Sequence, residues 1–138
     1  RKSLKEVVPI IPQEYIKDFI RGVIDGDGSL WIDGHNYPTL SVSGGEKTLK
    51  FIQDHFFTKF KLYSKLSRRK YSKRLKNYLY QITYRASSAQ KLIKYLYDNT
   101  NIYLLRKYLI AQKCLKSIIR TRENSIYRLK RYYESYTG

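Results

Sequence analysis

Two carboxylates, each followed by a glycine, are the groups in this 138-residue chain best placed to do chemistry: Asp25-Gly26-Asp27-Gly28. A hard divalent cation such as Mg²⁺ takes carboxylate and carbonyl oxygens at near-octahedral geometry. Gly26 lets the backbone approach closely, so its carbonyl can join the donor set. A cation held this way can direct a water in line onto a phosphodiester and stabilise the leaving oxygen, and a pair of metals does this better than one. The plain alternative is an Asp-Gly turn with solvated carboxylates, a common use of these residues. An EF-hand loop is rejected. Asp25, Asp27, Ser29 and Asp33 have suitable spacing, but Leu30 stands where that loop needs glycine and Asn36 where it needs glutamate.

The elements that must hold this turn are legible as changes of period. Pro12 suits a first helical turn, and Tyr15, Ile16, Phe19, Ile20 and Val23 recur at helical spacing. This helix is expected to stop where the Asp-Gly cluster begins. Gly22 and Gly26 lie four apart on it, a spacing that lets two backbones approach on one face. The period then becomes two. Leu30 and Ile32 alternate with Ser29, Trp31 and Asp33, residues 34–38 read as a turn, and Leu40 and Val42 alternate with Thr39, Ser41 and Ser43. A second helix is expected over 46–60 from Leu49, Ile52, Phe56 and Phe60. A second hairpin follows. Its first strand starts near Leu62 and Leu66, its basic connection runs over 68–76, and Tyr78, Tyr80, Ile82 and Tyr84 share one parity of its second strand. Ser87 and Ser88 can cap a third helix through Tyr97. Further helices are expected over 104–119 and 123–133.

The expected fold is α+β, with two hairpins forming an antiparallel sheet whose polar face is open and whose other face packs on helices. One domain is expected over 1–138, with its core at about 12–119 and a basic helical segment at 120–138.

Charge narrows the partner. Lys and Arg number 28 against 11 acidic residues, a net charge of +17 that a small domain needs polyanions to neutralise. No run approaches a membrane span, and no signal-peptide pattern is present, so nucleic acid is the expected partner rather than a membrane or a small molecule. One cysteine, Cys114, rules out an internal disulfide and fits a reducing intracellular compartment. Two histidines and one cysteine cannot make the usual four-ligand zinc site, so any metal is held by oxygen. The chain opens on Arg1, and trimming from a longer protein stays open.

The run Phe19-Ile20-Arg21-Gly22-Val23-Ile24-Asp25-Gly26-Asp27-Gly28 resembles the signature of the LAGLIDADG homing endonucleases. The resemblance implies an αββαββα fold, with the sheet a saddle for DNA and the motif helices paired at an interface. It implies a Mg²⁺-dependent, site-specific double-strand endonuclease, homodimeric because one motif supplies one acid. Symmetry then implies a near-palindromic target. Asp27 matches the essential metal ligand and Gly26 the carbonyl ligand, while Asp25 matches a position that shapes the helix end. Arg21 departs from the small residue of the motif.

The same resemblance places Glu46, Lys50 and Lys107 around the active-site water as catalytic residues. A solvated lysine is the alternative for Lys50 and Lys107, and a helix-start acid for Glu46. It places Phe19, Gly22, Val23 and Gly26 at the dimer interface. If the sheet saddles a duplex, parity assigns DNA contacts to Trp31, Asp33, His35, Thr39, Ser41 and Ser43 of the first hairpin. In the second it assigns Lys65, Ser67, Arg69, Asn77, Gln81, Thr83 and Arg85. The basic connection suits phosphates. The alternative is an ordinary solvated sheet face. The many tyrosines read as core and composition, not as a stacking platform. Two rival readings accompany the resemblance: a non-cleaving nucleic-acid binder of this fold (an RNA maturase or transcription regulator), and half of a longer two-motif enzyme.

Overall fold

A computed structural model describes residues 8–117 apart from 75 and 102. The helix expected over 123–133 and the basic segment 120–138 lie outside the described residues. Among those described, the order is α1 (Ile16–Asp27), β1 (Gly28–Ile32), β2 (Pro38–Gly44), α2 (Glu46–Phe60), β3 (Ser67–Ser72), β4 (Asn77–Arg85), α3 (Ser87–Tyr97) and α4 (Leu105–Lys116). The chain is therefore α+β, with four helices beside one four-stranded antiparallel sheet of order β1-β2-β4-β3.

The core is the layer between sheet and helices. Leu30, Leu40 and Tyr84 line up across three strands, and Val42 and Ile82 lie side by side, all buried. From the helices come Ile16, Ile20 and Ile24 of α1, Leu49, Ile52 and Phe56 of α2, and Leu92, Ile93 and Leu96 of α3. Each such side chain contributes about 1.5–3 kcal/mol relative to exposure. Ile16, Ile20 and Ile24 stand four apart, so one stripe of α1 is consumed by the core and the other stays at the surface.

Four expectations need correction. First, α1 does not stop at Asp25. It continues through Gly26 and Asp27 and is capped by Gly28 in an extended conformation, whose N–H reaches the Ile24 carbonyl. Glycine permits αR and only lowers helix stability, by about 1 kcal/mol. Tertiary bonds to the helix end outweigh that cost.

Second, β3 begins at Ser67, so Leu62 and Leu66 form a half-buried lead-in rather than a strand. Ser64 joins the edge of β4 there, its hydroxyl donating to the Thr83 carbonyl and accepting from the Thr83 N–H. Half of the expected connection is thus strand, and its register shifts between Arg68 and Tyr71 in a β-bulge.

Third, of the tyrosines with core parity only Tyr84 is buried. Tyr80 is half-buried and Tyr78 is 39% exposed, near the hairpin turn. Tyr78 packs edge-on against Tyr71 at 5.4 Å, with Arg68 over its ring at 4.3 Å.

Fourth, neither Ser87 nor Ser88 caps α3. The N-cap is Ala86 at φ 60°, with no side-chain cap bond, and its N–H is spent on the Pro38 carbonyl. The second helix follows its expected bounds.

Candidate nucleic-acid interface and acidic helix end

The acidic end of α1 is built by tying almost every motif group inward. Asp25 accepts from the Tyr97 hydroxyl at 2.5 Å and from the Leu104 N–H at 2.8 Å. It therefore holds the start of α4, whose N-cap is Leu104, beside the end of α1. Burial and this carboxylate together push the Tyr97 hydroxyl's pKa far above its ordinary value.

Arg21, the departure from the motif, is buried at 3% exposure. Its guanidinium donates to the Leu96 carbonyl at 2.8 Å and pairs with Asp18 at 2.5 Å. It thus caps the last turn of α3, where a cation meets the helix's negative end, and leaves the outer stripe of α1 clear.

Lys107 is not a solvated lysine. It is 6% exposed, and its ammonium donates to the Ile24 carbonyl at 3.0 Å and to the Gly28 carbonyl. Burial pushes its pKa down, Arg106 adds to this, and Asp25 and Asp27 oppose it. Lys107 therefore clamps α4 to the junction of α1 and β1, directly under the motif. Gly28 makes that junction possible: a Cβ there would lie 2.9 Å from the Ile24 Cα and carbonyl oxygen.

What remains outside is Asp27, exposed at the last position of α1, with exposed Gly26 beside it. Helix C-termini present unpaired carbonyls and a partial negative charge, which suits a cation. Among the described residues no three His, Cys, Asp or Glu side chains gather as a metal group. The donor set one chain offers there is one carboxylate plus main-chain oxygen, at the low end of the one or two carboxylates a Mg²⁺ site uses. Along the outer stripe Gly22 and Gly26 have nothing within 4 Å of a built Cβ, and half-buried Phe19 and Val23 flank them.

Glu46 and Lys50 are spent elsewhere. Glu46 accepts from the Tyr80 hydroxyl, raising that tyrosine's pKa. Lys50 bonds along its own helix, to Asp54 and Gln53, both at 3.2 Å. No bond joins either to Asp27.

The open face of the sheet carries three cross-strand rows: Trp31-Thr39-Arg85, Ser29-Ser41-Thr83 and Ser43-Gln81-Ser67. The expected alternation puts these residues on one face, Ser29 among them, but does not report their freedom. Thr39 and Ser41 are each 4% exposed on a central strand, Thr39 between Trp31 and Arg85. Ser41 accepts from the Gln81 amide at 2.6 Å and shares a bond with Thr83 at 3.1 Å.

Asp33 closes the first hairpin by accepting from the His35 and Tyr37 N–H groups, and pairs with Arg85 at 2.5 Å. The Arg85 hydrogen bond holds its pKa at about 2. Arg85 also lies over Tyr37 at 4.8 Å. Trp31, His35, Ser43, Ser67, Arg69, Asn77, Thr83 and Arg85 are exposed, as is Lys65, which sits before β3 rather than on it.

Sequence reasoning placed Arg68 in a loop suited to phosphates, because a basic run looks like loop, whereas it lies on β3. With Ser43, Arg69, Lys70 and Leu79 it lines a surface cavity of about 570 Å³ at the bulge. The broken period of Arg68-Arg69-Lys70-Tyr71 is the signal that could have marked the bulge. Among the described residues no helix is long and apolar enough to cross a membrane.

In comparisons with known proteins, no family model, no curated protein and no solved structure matches this chain.

Proposed function

We propose that this chain is a LAGLIDADG-type, site-specific double-strand DNA endonuclease that works as a homodimer with Mg²⁺ on a near-palindromic target. One observation carries the reading. Every other polar group of the motif is bonded inward, and Asp27 alone is left bare at a helix end beside an open strip of glycine. Among the described residues that carboxylate takes part in no hydrogen bond or ion pair, and within the chain its field reaches Lys107.

Asp27 and the Gly26 carbonyl would hold the cation. Bound there, it would supply an activated water and charge neutralisation at the leaving oxygen. Lys107 fixes the helix end through Ile24 and Gly28, so the carboxylate's position is set before DNA arrives. Asp25 locks α4 against the same end. Gly22 and Gly26 let a second α1 approach, bringing a second Asp27 alongside. The exposed rows of the sheet supply base and phosphate contacts, with Arg69 and Lys70 at the bulge suited to the backbone. The element order α1-β1-β2-α2-β3-β4-α3 agrees with the order the resemblance implies.

The test is incubation with Mg²⁺ and a randomised duplex library. Wild type should cut a discrete near-palindromic set, and Asp27→Asn should lower cutting by about 10³-fold or more. Equal cutting by Asp27→Asn, or none by wild type, overturns the proposal. Sedimentation on the selected target should give two chains per duplex, and a stable monomer would point to a chain completed by a second motif elsewhere.

A further inference from the structure

On the helical side, away from the open sheet face, lysines from three helices converge on aromatic rings. Phe60 of α2 and Tyr95 of α3 pack edge-on at 4.9 Å. Lys59 lies over both rings, at 5.9 and 5.3 Å, with Lys17 over Tyr95 at 5.8 Å and Lys91 over Phe60 at 5.6 Å. One turn along α2, Phe57 is 48% exposed, and Lys61 sits over its ring at 5.5 Å. Tyr63 is 66% exposed and stands edge-on to Phe57 at 6.4 Å. The Tyr95 hydroxyl is held by His55 Nε2 at 2.9 Å, which fixes the ring that Lys59 and Lys17 overlie.

The proposed DNA-cleaving role uses none of these groups, and among the described residues none of the four lysines forms an ion pair. Asp18, whose charge acts on Tyr95, is paired with Arg21, and Lys17 donates to the Asp98 main-chain carbonyl at 3.3 Å. The residues outside those described are themselves net basic: Arg1, Lys2 and Lys5 against Glu6, and Arg120, Arg122, Arg128, Lys130 and Arg131 against Glu123 and Glu134. Several like charges held together are self-repelling, and a polyanion relieves that repulsion.

We propose that this side is a second binding surface, for single-stranded nucleic acid: Phe57 and Tyr63 stack unpaired bases, and Lys17, Lys59, Lys61 and Lys91 hold the phosphates. Exposed rings interleaved with ammonium groups are how sequence-tolerant single-strand surfaces work. A duplex keeps its bases stacked on one another and leaves these rings without a partner. An anionic membrane would need an apolar helix face to insert, but the apolar face of α2 is spent on the core. The inference does not depend on cleavage.

Fluorescence anisotropy with labelled oligo-U and oligo-dT of about 16 nucleotides tests it, beside an unrelated duplex and phosphatidylserine vesicles. Phe57→Ser/Tyr63→Ser should weaken single-strand binding about tenfold and leave duplex binding within twofold. Lys59→Glu/Lys61→Glu/Lys91→Glu should do the same and flatten the salt dependence by about 0.7 for each phosphate no longer neutralised. Arg69→Glu/Lys70→Glu, on the sheet, should show the reverse preference. All variants change exposed side chains, and unchanged circular dichroism checks their fold. Binding of either strand supports the proposal, and the tighter one names the natural partner. The proposal is overturned if the helical-side variants keep single-strand affinity, or lose duplex affinity equally. It is also overturned if wild type binds the vesicles but neither strand.

Discussion

The acidic end of α1 and the open face of the sheet are both polar regions, yet they spend their polarity in opposite ways. At the helix end, Arg21, Asp25 and Lys107 are each committed to a carbonyl, hydroxyl or N–H of another element. The result is a mount cross-linked to neighbouring elements, with one exposed carboxylate. On the sheet, Ser41, Thr83 and Gln81 bond mostly to one another, and Asp33 bonds to its own turn and to Arg85. The result is a surface where exposure, not polarity, decides which groups can reach a partner. Buried polar groups must be satisfied internally, and the helix end satisfies Arg21 and Lys107 in this way while leaving Asp27 exposed.

The sharpest way to break the comparison is Lys107→Met. It removes a buried donor from the Gly28 carbonyl and one of two donors from the Ile24 carbonyl, which keeps the Gly28 N–H. We expect a loss of about 1–3 kcal/mol in urea unfolding. A loss below about 0.5 kcal/mol, the range of an ordinary surface substitution, would show that the helix end needs no clamp.

Gly28→Ala comes next. Its Cβ would meet backbone at 2.9 Å, and overpacking of this kind costs about 1–3 kcal/mol. Thermal unfolding should register it.

Gly22→Ala and Gly26→Ala should move the opposite way. With no neighbour in the chain, alanine gains about 0.5–1 kcal/mol of helix propensity each. Dimerisation, followed by sedimentation, should weaken in the same variants. Stabilised chains that pair as well as wild type would refute the interface reading of that strip.

The smallest effect belongs to the sheet. Because Asp33 titrates at about 2 in the fold and near 4 unfolded, its contribution is whole above about pH 4 and lost as pH falls from about 4 to 2. Asp33→Asn should flatten the acid limb of the stability profile over that window, and an unchanged limb would mean the Arg85 pair is inert.

Much of this is legible in the sequence. The bounds of α2, the order of elements and the two faces of β1, β2 and β4 follow from period alone, because a long amphipathic run and strict alternation have few competing packings. The end of α1 departs from expectation because glycine allows a helix that only outside contacts can stabilise. Residues 61–66 have strand-like alternation, but a strand needs a ladder partner, and no local pattern reports one. Tyr78 has the parity of the core, yet lies where the sheet is no longer covered.

The amino-acid sequence by itself determined that the chain is basic, α+β, and carries one acidic motif at a helix end. Composition and periodicity are local quantities and suffice for that. Only the tertiary structure decided which motif groups are free. Whether Lys107 meets water or carbonyls, whether Arg21 points outward or beneath α3, and whether Asp27 stands alone depend on elements more than seventy residues apart. Hydrogen-bond satisfaction is settled across space, not along the chain.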